Sequence, residues 1–173
     1  MIRQLLLGTA LCLGLTAAAQ AATTPFSLFL FSPTQTSKPA DDVSGIRLGL
    51  IYGVNSSLTG IDAGGVNRLT SNLTGVQWSL WGTVEGDLTG AQLNWIAAQA
   101  KGHALGLQNA FYNQAGSLSG IQFGIVNLSG RTEGIQIGLV NMADSMKGLQ
   151  IGLVNAIRTG GAFPVFPIVN WSF

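Results

Sequence analysis

At 173 residues the chain has the length of one domain, and eight Lys/Arg against seven Asp/Glu leave a formal charge of +1. Near-neutrality excludes the basic footprint of a nucleic-acid binder and the polybasic patch that grips anionic lipid. Charged residues make up 9% of the chain, against about 25% in an ordinary soluble domain, so the surface is expected to meet lipid or a partner, or to belong to a mostly apolar repeat.

The first 21 residues read as an export signal. Met1-Ile-Arg-Gln4 carries one cation, the stretch from Leu5 to Leu15 is almost wholly apolar, and Ala19-Gln20-Ala21 fits the small-x-small cleavage rule. The apolar stretch is too short to cross a bilayer as a helix. Residues 22–173 are then a single β-repeat domain, exported to the outer membrane or cell surface, with the periplasm as the alternative. The single cysteine, Cys12, falls within the leader, so disulfides and thiolate metal sites are not expected in the exported part.

A first flanking strand is predicted over residues 25–33, where Pro25-Phe-Ser-Leu-Phe-Leu-Phe-Ser-Pro33 alternates large apolar and smaller residues. The repeat follows, from about residue 45 to 155. Glycines at 45, 60, 75, 90, 106, 120, 134 and 148 each open a segment, at a spacing of 14 to 16 residues. The last two copies are nearly identical: Gly134-Ile-Gln-Ile-Gly-Leu-Val-Asn141 and Gly148-Leu-Gln-Ile-Gly-Leu-Val-Asn155. A fixed period of this kind means one supersecondary unit copied many times.

Within a copy, period-two alternation marks a strand. A helix would carry Gly at both i and i+4, at about 1 kcal/mol each relative to Ala. One strand face offers Ile135, Ile137, Leu139 and Asn141; the other offers Gly134, Gln136, Gly138 and Val140. Gly134, Gly138, Asn141, Gly148, Gly152 and Asn155 are the expected structural positions. The glycines admit close backbone approach, and the asparagines bond their own backbone to punctuate each turn. Asn67, Asn113 and Asn127 hold the same place, with Tyr52, Gly82 and Ala97 replacing Asn elsewhere.

Mid-array, Trp78, Trp81, Trp95, Phe111 and Tyr112 replace smaller residues. They read either as packing in a wider part of the core or as an aromatic platform for a lipid, sugar or interface. A second flanking strand is predicted over 163–173, where Pro164 and Pro167 interrupt an apolar, Phe-rich run ending in Trp171 and Phe173.

The expected fold is all-β. It is an antiparallel meander of about ten strands, closed into a barrel by pairing the two flanks, which removes exposed edges. The alternative is a β-solenoid with coils of 14–16 residues. No catalytic constellation, cofactor motif or metal-ligand set is found. His103 is a lone histidine beside Lys101 on a connector, and Arg47 and Asp62 share a column as a cross-strand pair.

The tandem octapeptide, the opening Gly45-Ile-Arg-Leu-Gly-Leu-Ile-Tyr-Gly53 and the ending Pro164-Val-Phe-Pro-Ile-Val-Asn-Trp-Ser-Phe173 resemble a family of bacterial surface-repeat proteins of unknown function. The resemblance implies an exported envelope protein and no activity. The functional expectation is a non-enzymatic structural or interaction protein, with lipid, the outer membrane or envelope proteins as partners. The alternative is a soluble periplasmic or secreted binding module using the aromatic group or the Gln/Gly/Val face.

Overall fold

A computed structural model describes residues 21–173; the predicted leader lies outside them save for Ala21. Among the described residues the elements are all strands: β1 Thr23–Phe31, β2 Thr34–Gln35, β3 Asp42–Asn55, β4 Leu58–Leu69, β5 Leu73–Val84, β6 Leu88–Asn109, β7 Tyr112–Phe123, β8 Val126–Ile137, β9 Val140–Thr159 and β10 Val165–Ser172. They form one sheet in the order β10-β9-β8-β7-β6-β5-β4-β3-β1-β2.

This is a β-solenoid. From β1 through β9 each long strand lies parallel to the next. Only β10 on β9 and β2 on β1 run antiparallel. The predicted antiparallel barrel is thereby corrected. Both flanks are strands, but they sit at opposite ends of the sheet order and do not pair. An alternating octapeptide fits a coil of 14–16 residues because the return half of the coil is itself strand. β6 and β9 pass through a corner without a break, over 22 and 20 residues.

The opening glycines stack one above the other. All eight have φ between +128° and +147°, a region L side chains avoid. A Cβ there would stand 1.9–2.2 Å from a carbonyl oxygen of the coil below. Glycine is thus demanded twice, by φ and by proximity, and this is what fixes the repeat.

Four columns fill the narrow interior. Two are mainly apolar: Val43, Leu58, Leu73, Leu88, Ala104, Leu118 and Met146 in one, Leu69, Val84, Ala100, Ala115 and Ala143 in the other. The other two are amides. Gln77, Gln92, Gln108, Gln122, Gln136 and Gln150 are fully buried, and each donates through Nε2 to the residue one coil earlier at 2.7–2.9 Å. The second N–H of most of them reaches a backbone carbonyl across the coil, such as Leu128 from Gln122 at 3.2 Å. Asn113, Asn127 and Asn141 donate the opposite way along the array, each to the next asparagine at 2.8 Å. Buried amides satisfied in this way avoid the 1–3 kcal/mol that an orphaned polar group costs, roughly.

The Gln column begins at an ion pair. Arg47 donates from Nε and Nη2 to both Asp62 carboxylate oxygens at 2.8 Å, with both side chains fully buried. Gln77 donates to the same carboxylate at 2.8 Å, so the pair heads the ladder.

The asparagines depart from expectation: their main partners lie on other coils rather than in their own turn. Register also places Gly53, Gly82 and Ala98, not Tyr52 and Ala97, in the Asn column. An extra residue lies between Leu48 and Tyr52 in β3 and another between Asn94 and Ala97 in β6.

Candidate functional site

Because the interior takes Gln and Asn, the large aliphatic residues of the repeat point outward. From each opening glycine, the second and fourth residues face out along one side of the coil. The sixth sits on the corner that follows. Ile46, Leu48 and Leu50 do so in β3, Trp78 and Leu80 in β5, and Trp95, Phe111, Ile125, Leu139 and Leu153 continue the corner row. Leu139 and Leu153 are 50% and 67% exposed. Gln136 and Asn141 both point inward although they stand five positions apart, an odd spacing. The two-residue corner at Gly138-Leu139 switches the parity of the strand.

At the N-terminal end Phe26 and Leu28 of β1 pair in register with Ile46 and Leu48. At the other end Trp171 and Val169 of β10 lie beside Leu149 and Ile151. The apolar face therefore runs the length of the solenoid. About nine steps of ~4.8 Å give a length of ~43 Å, and six residues of strand give a width of ~17 Å. That is roughly 730 Å², above the ~300–600 Å² of the largest apolar patch on a typical soluble monomer.

Charge is absent from this arc. Each seven-residue stretch opened by a repeat glycine contains no charged residue except Arg47 and Asp62, which are buried against each other. The exposed charges occupy the remainder of the coil. Glu85 is bridged there by Lys101 at 2.5 Å and Arg68 at 3.2 Å, and Lys101 foremost, with Arg68, holds its carboxyl below the ordinary glutamate range. Arg131 pairs with Glu133, and Arg158 with Asp144.

Of the aromatics singled out in the sequence, Trp78, Trp95 and Phe111 come together in one groove of about 780 Å³. Trp78 and Trp95 are 60% and 61% exposed, so they do not fill a wider core. Trp81 and Tyr112 share a different column, on the far side of the corner, joined through Ala97. The groove lies between two ridges. Leu93, Phe123, Ile137 and Ile151 form one, and Ile125 and Leu139 extend the other, while Ala110, Gly124, Gly138 and Gly152 make the floor. The floor stays small because a Cβ at Gly138 would meet the Gly124 carbonyl oxygen at 2.2 Å. Sequence reasoning missed the aliphatic part of this groove; the usable signal was the exclusion of charge from each arc.

His103 lies on the polar side. Its Nδ1 is 2.8 Å from Ser117 Oγ, in an exposed setting. Asp87 accepts from the His103 backbone N–H rather than from the imidazole, so no carboxylate orients the ring toward the serine. Among the described residues no group of three or more His, Cys, Asp or Glu could hold a metal ion, and no helix is long and apolar enough to cross a membrane. Comparison with protein-family models, curated proteins and solved structures finds no match for this chain.

Proposed function

We propose that this protein is a non-enzymatic, exported envelope protein that lies on a lipid surface through its apolar face. One observation carries the reading: the glycine-opened arcs that make up a face about 43 Å long, lined with Leu, Ile, Val and Trp, hold no exposed charge. Surface helices bind membranes by the same division of apolar and polar faces, with affinity scaling with the apolar area buried. Here a rigid sheet face replaces the helix. The export signal read over residues 1–21 and the resemblance to surface-repeat proteins support an envelope location. In that setting the outer membrane is the lipid surface within reach.

Binding of this kind is driven by apolar area rather than by charge, since the chain has no polybasic patch. Flotation of residues 22–173 with phosphatidylcholine vesicles tests it. The protein should float with the vesicles, equally well when anionic lipid is added and in high salt. Protein that stays at the bottom of the gradient with both vesicle types would overturn the reading and favour the soluble binding module.

A further inference from the structure

Resting on the lipid reading of the same face, we propose that the groove between the Trp78 ridge and the Trp95 ridge is a site for a single long alkyl chain with an oxygen-bearing end group. The occupant's chemistry is that of a free fatty acid.

The groove is built rather than incidental. Its two walls are successive outward positions of the repeat, and its floor is held to Ala and Gly by backbone contact below. At about 780 Å³ it falls within the ~300–1,000 Å³ of ligand pockets. Trp78 and Trp95 also line a smaller hollow toward the N-terminal coils, so the two indoles form the wall between the two spaces and close one end of the groove.

Next to that wall stands Asn109, the one amide in a ridge otherwise made of Trp, Leu, Phe and Ile. Neighbouring Asn94 donates to the Ala97 carbonyl at 3.0 Å, whereas the half-buried Asn109 side chain has no protein hydrogen-bond partner among the described residues. From Asn109 the ridge continues through Phe123 and Ile137 to Ile151, in strict register. Three steps of ~4.8 Å make about 14 Å of purely apolar wall. One leaflet of a bilayer, half of the ~30 Å hydrocarbon core, is about as deep. An end-group oxygen would thus accept from the Asn109 amide, and the tail would run along the glycine floor away from the indoles.

The orientation is testable with stearate bearing a nitroxide either near its carboxyl or near its methyl end. It is added to detergent-free residues 22–173 below the concentration at which it aggregates. Spin-label immobilisation gives the bound fraction, and tryptophan quenching gives the position. One stearate per chain should bind saturably, and the label near the carboxyl should quench more strongly. Ile137→Trp, which fills the groove from a half-buried position on its wall, should weaken binding at least about tenfold while leaving vesicle flotation intact. Asn109→Leu should keep the fold, read by its far-ultraviolet spectrum, and abolish the difference between the two labels.

Non-saturating uptake, equal quenching by both labels, or indifference to Ile137→Trp would overturn the site. A stable dimer that stearate does not dissociate would also overturn it, by giving the groove to a second copy. Flotation without saturable stearate binding removes the groove alone; saturable binding without flotation removes the surface reading and leaves the groove.

Discussion

The ion pair at the head of the glutamine ladder allows a sharp test of how the interior is held. Asp62 accepts from Arg47 twice, from Asn67 and from Gln77, all at 2.8–2.9 Å and all out of water. Asp62→Gln keeps an acceptor for Gln77 but turns a second donor group toward Arg47, leaving a buried guanidinium without its anion. Removing one partner of a buried pair costs about 3–5 kcal/mol. Adding Arg47→Gln supplies the missing acceptor and extends the amide column by two coils. The new glutamine at 47 can donate to Asn55 Oδ1, as the Arg47 Nη1 does at 3.2 Å. The double variant should fall within about 1 kcal/mol of the parent, giving a coupling energy of at least ~2 kcal/mol. Urea unfolding of residues 22–173, followed by circular dichroism, measures both. Additive losses in the double variant would refute the idea that the pair is a chemically distinct first rung of the same ladder.

Four further outcomes are expected. Gly134→Ala places a Cβ 2.0 Å from the Gly120 oxygen at φ +145° and should cost at least ~3 kcal/mol in the same unfolding assay, whereas Gly160→Ala, at φ +76° but with open space around it, should cost only the backbone strain of about 1–2 kcal/mol. Leu139→Ala should lose under ~1 kcal/mol, because its half-exposed side chain leaves no packed cavity; a loss of several kcal/mol would place it in a core. The Asp41 carboxyl is held below its ordinary pKa of 3.8, first by the Lys38 backbone N–H and then by that of Ala22, so its stabilisation is complete above pH 3.8 and is lost as the pH falls through the lowered value. Amide exchange at Lys38 should rise there, and Asp41→Asn should show the faster exchange at neutral pH already. Cysteines introduced at Leu28 and Val169 should form no disulfide within a monomer, since those strands flank opposite ends of the sheet; ready closure would restore the barrel.

The period, the strands and both flanks were legible in the sequence because glycine spacing and alternation are local signals. Strand direction was not. Parallel coils and an antiparallel meander share the same period of two, and only the stacked register distinguishes them. Facing was hidden for a different reason. Alternation puts Gln136 and the large aliphatics on opposite faces without saying which is inward, and a coil only two side chains thick is closed by amides that bond one another along the array. The asparagine column was shifted by one residue at Tyr52 and Ala97 because an extra residue bulges just before each. Trp78, Trp95 and Phe111 stood out by size, but the groove they share with Ile137 and Leu139 depends on a corner that alternation alone does not reveal.

The proposed lipid contact can be tested most directly with single cysteines carrying an environment-sensitive fluorophore, since residues 22–173 contain no other thiol. Labels at Ile61 and Ile121 on the apolar face should shift to the blue when phosphatidylcholine vesicles are added. Labels at Arg131 and Arg158, both exposed on the charged side, should not move. Equal shifts on both sides, or none on the apolar side, would contradict a solenoid that lies on lipid through that face.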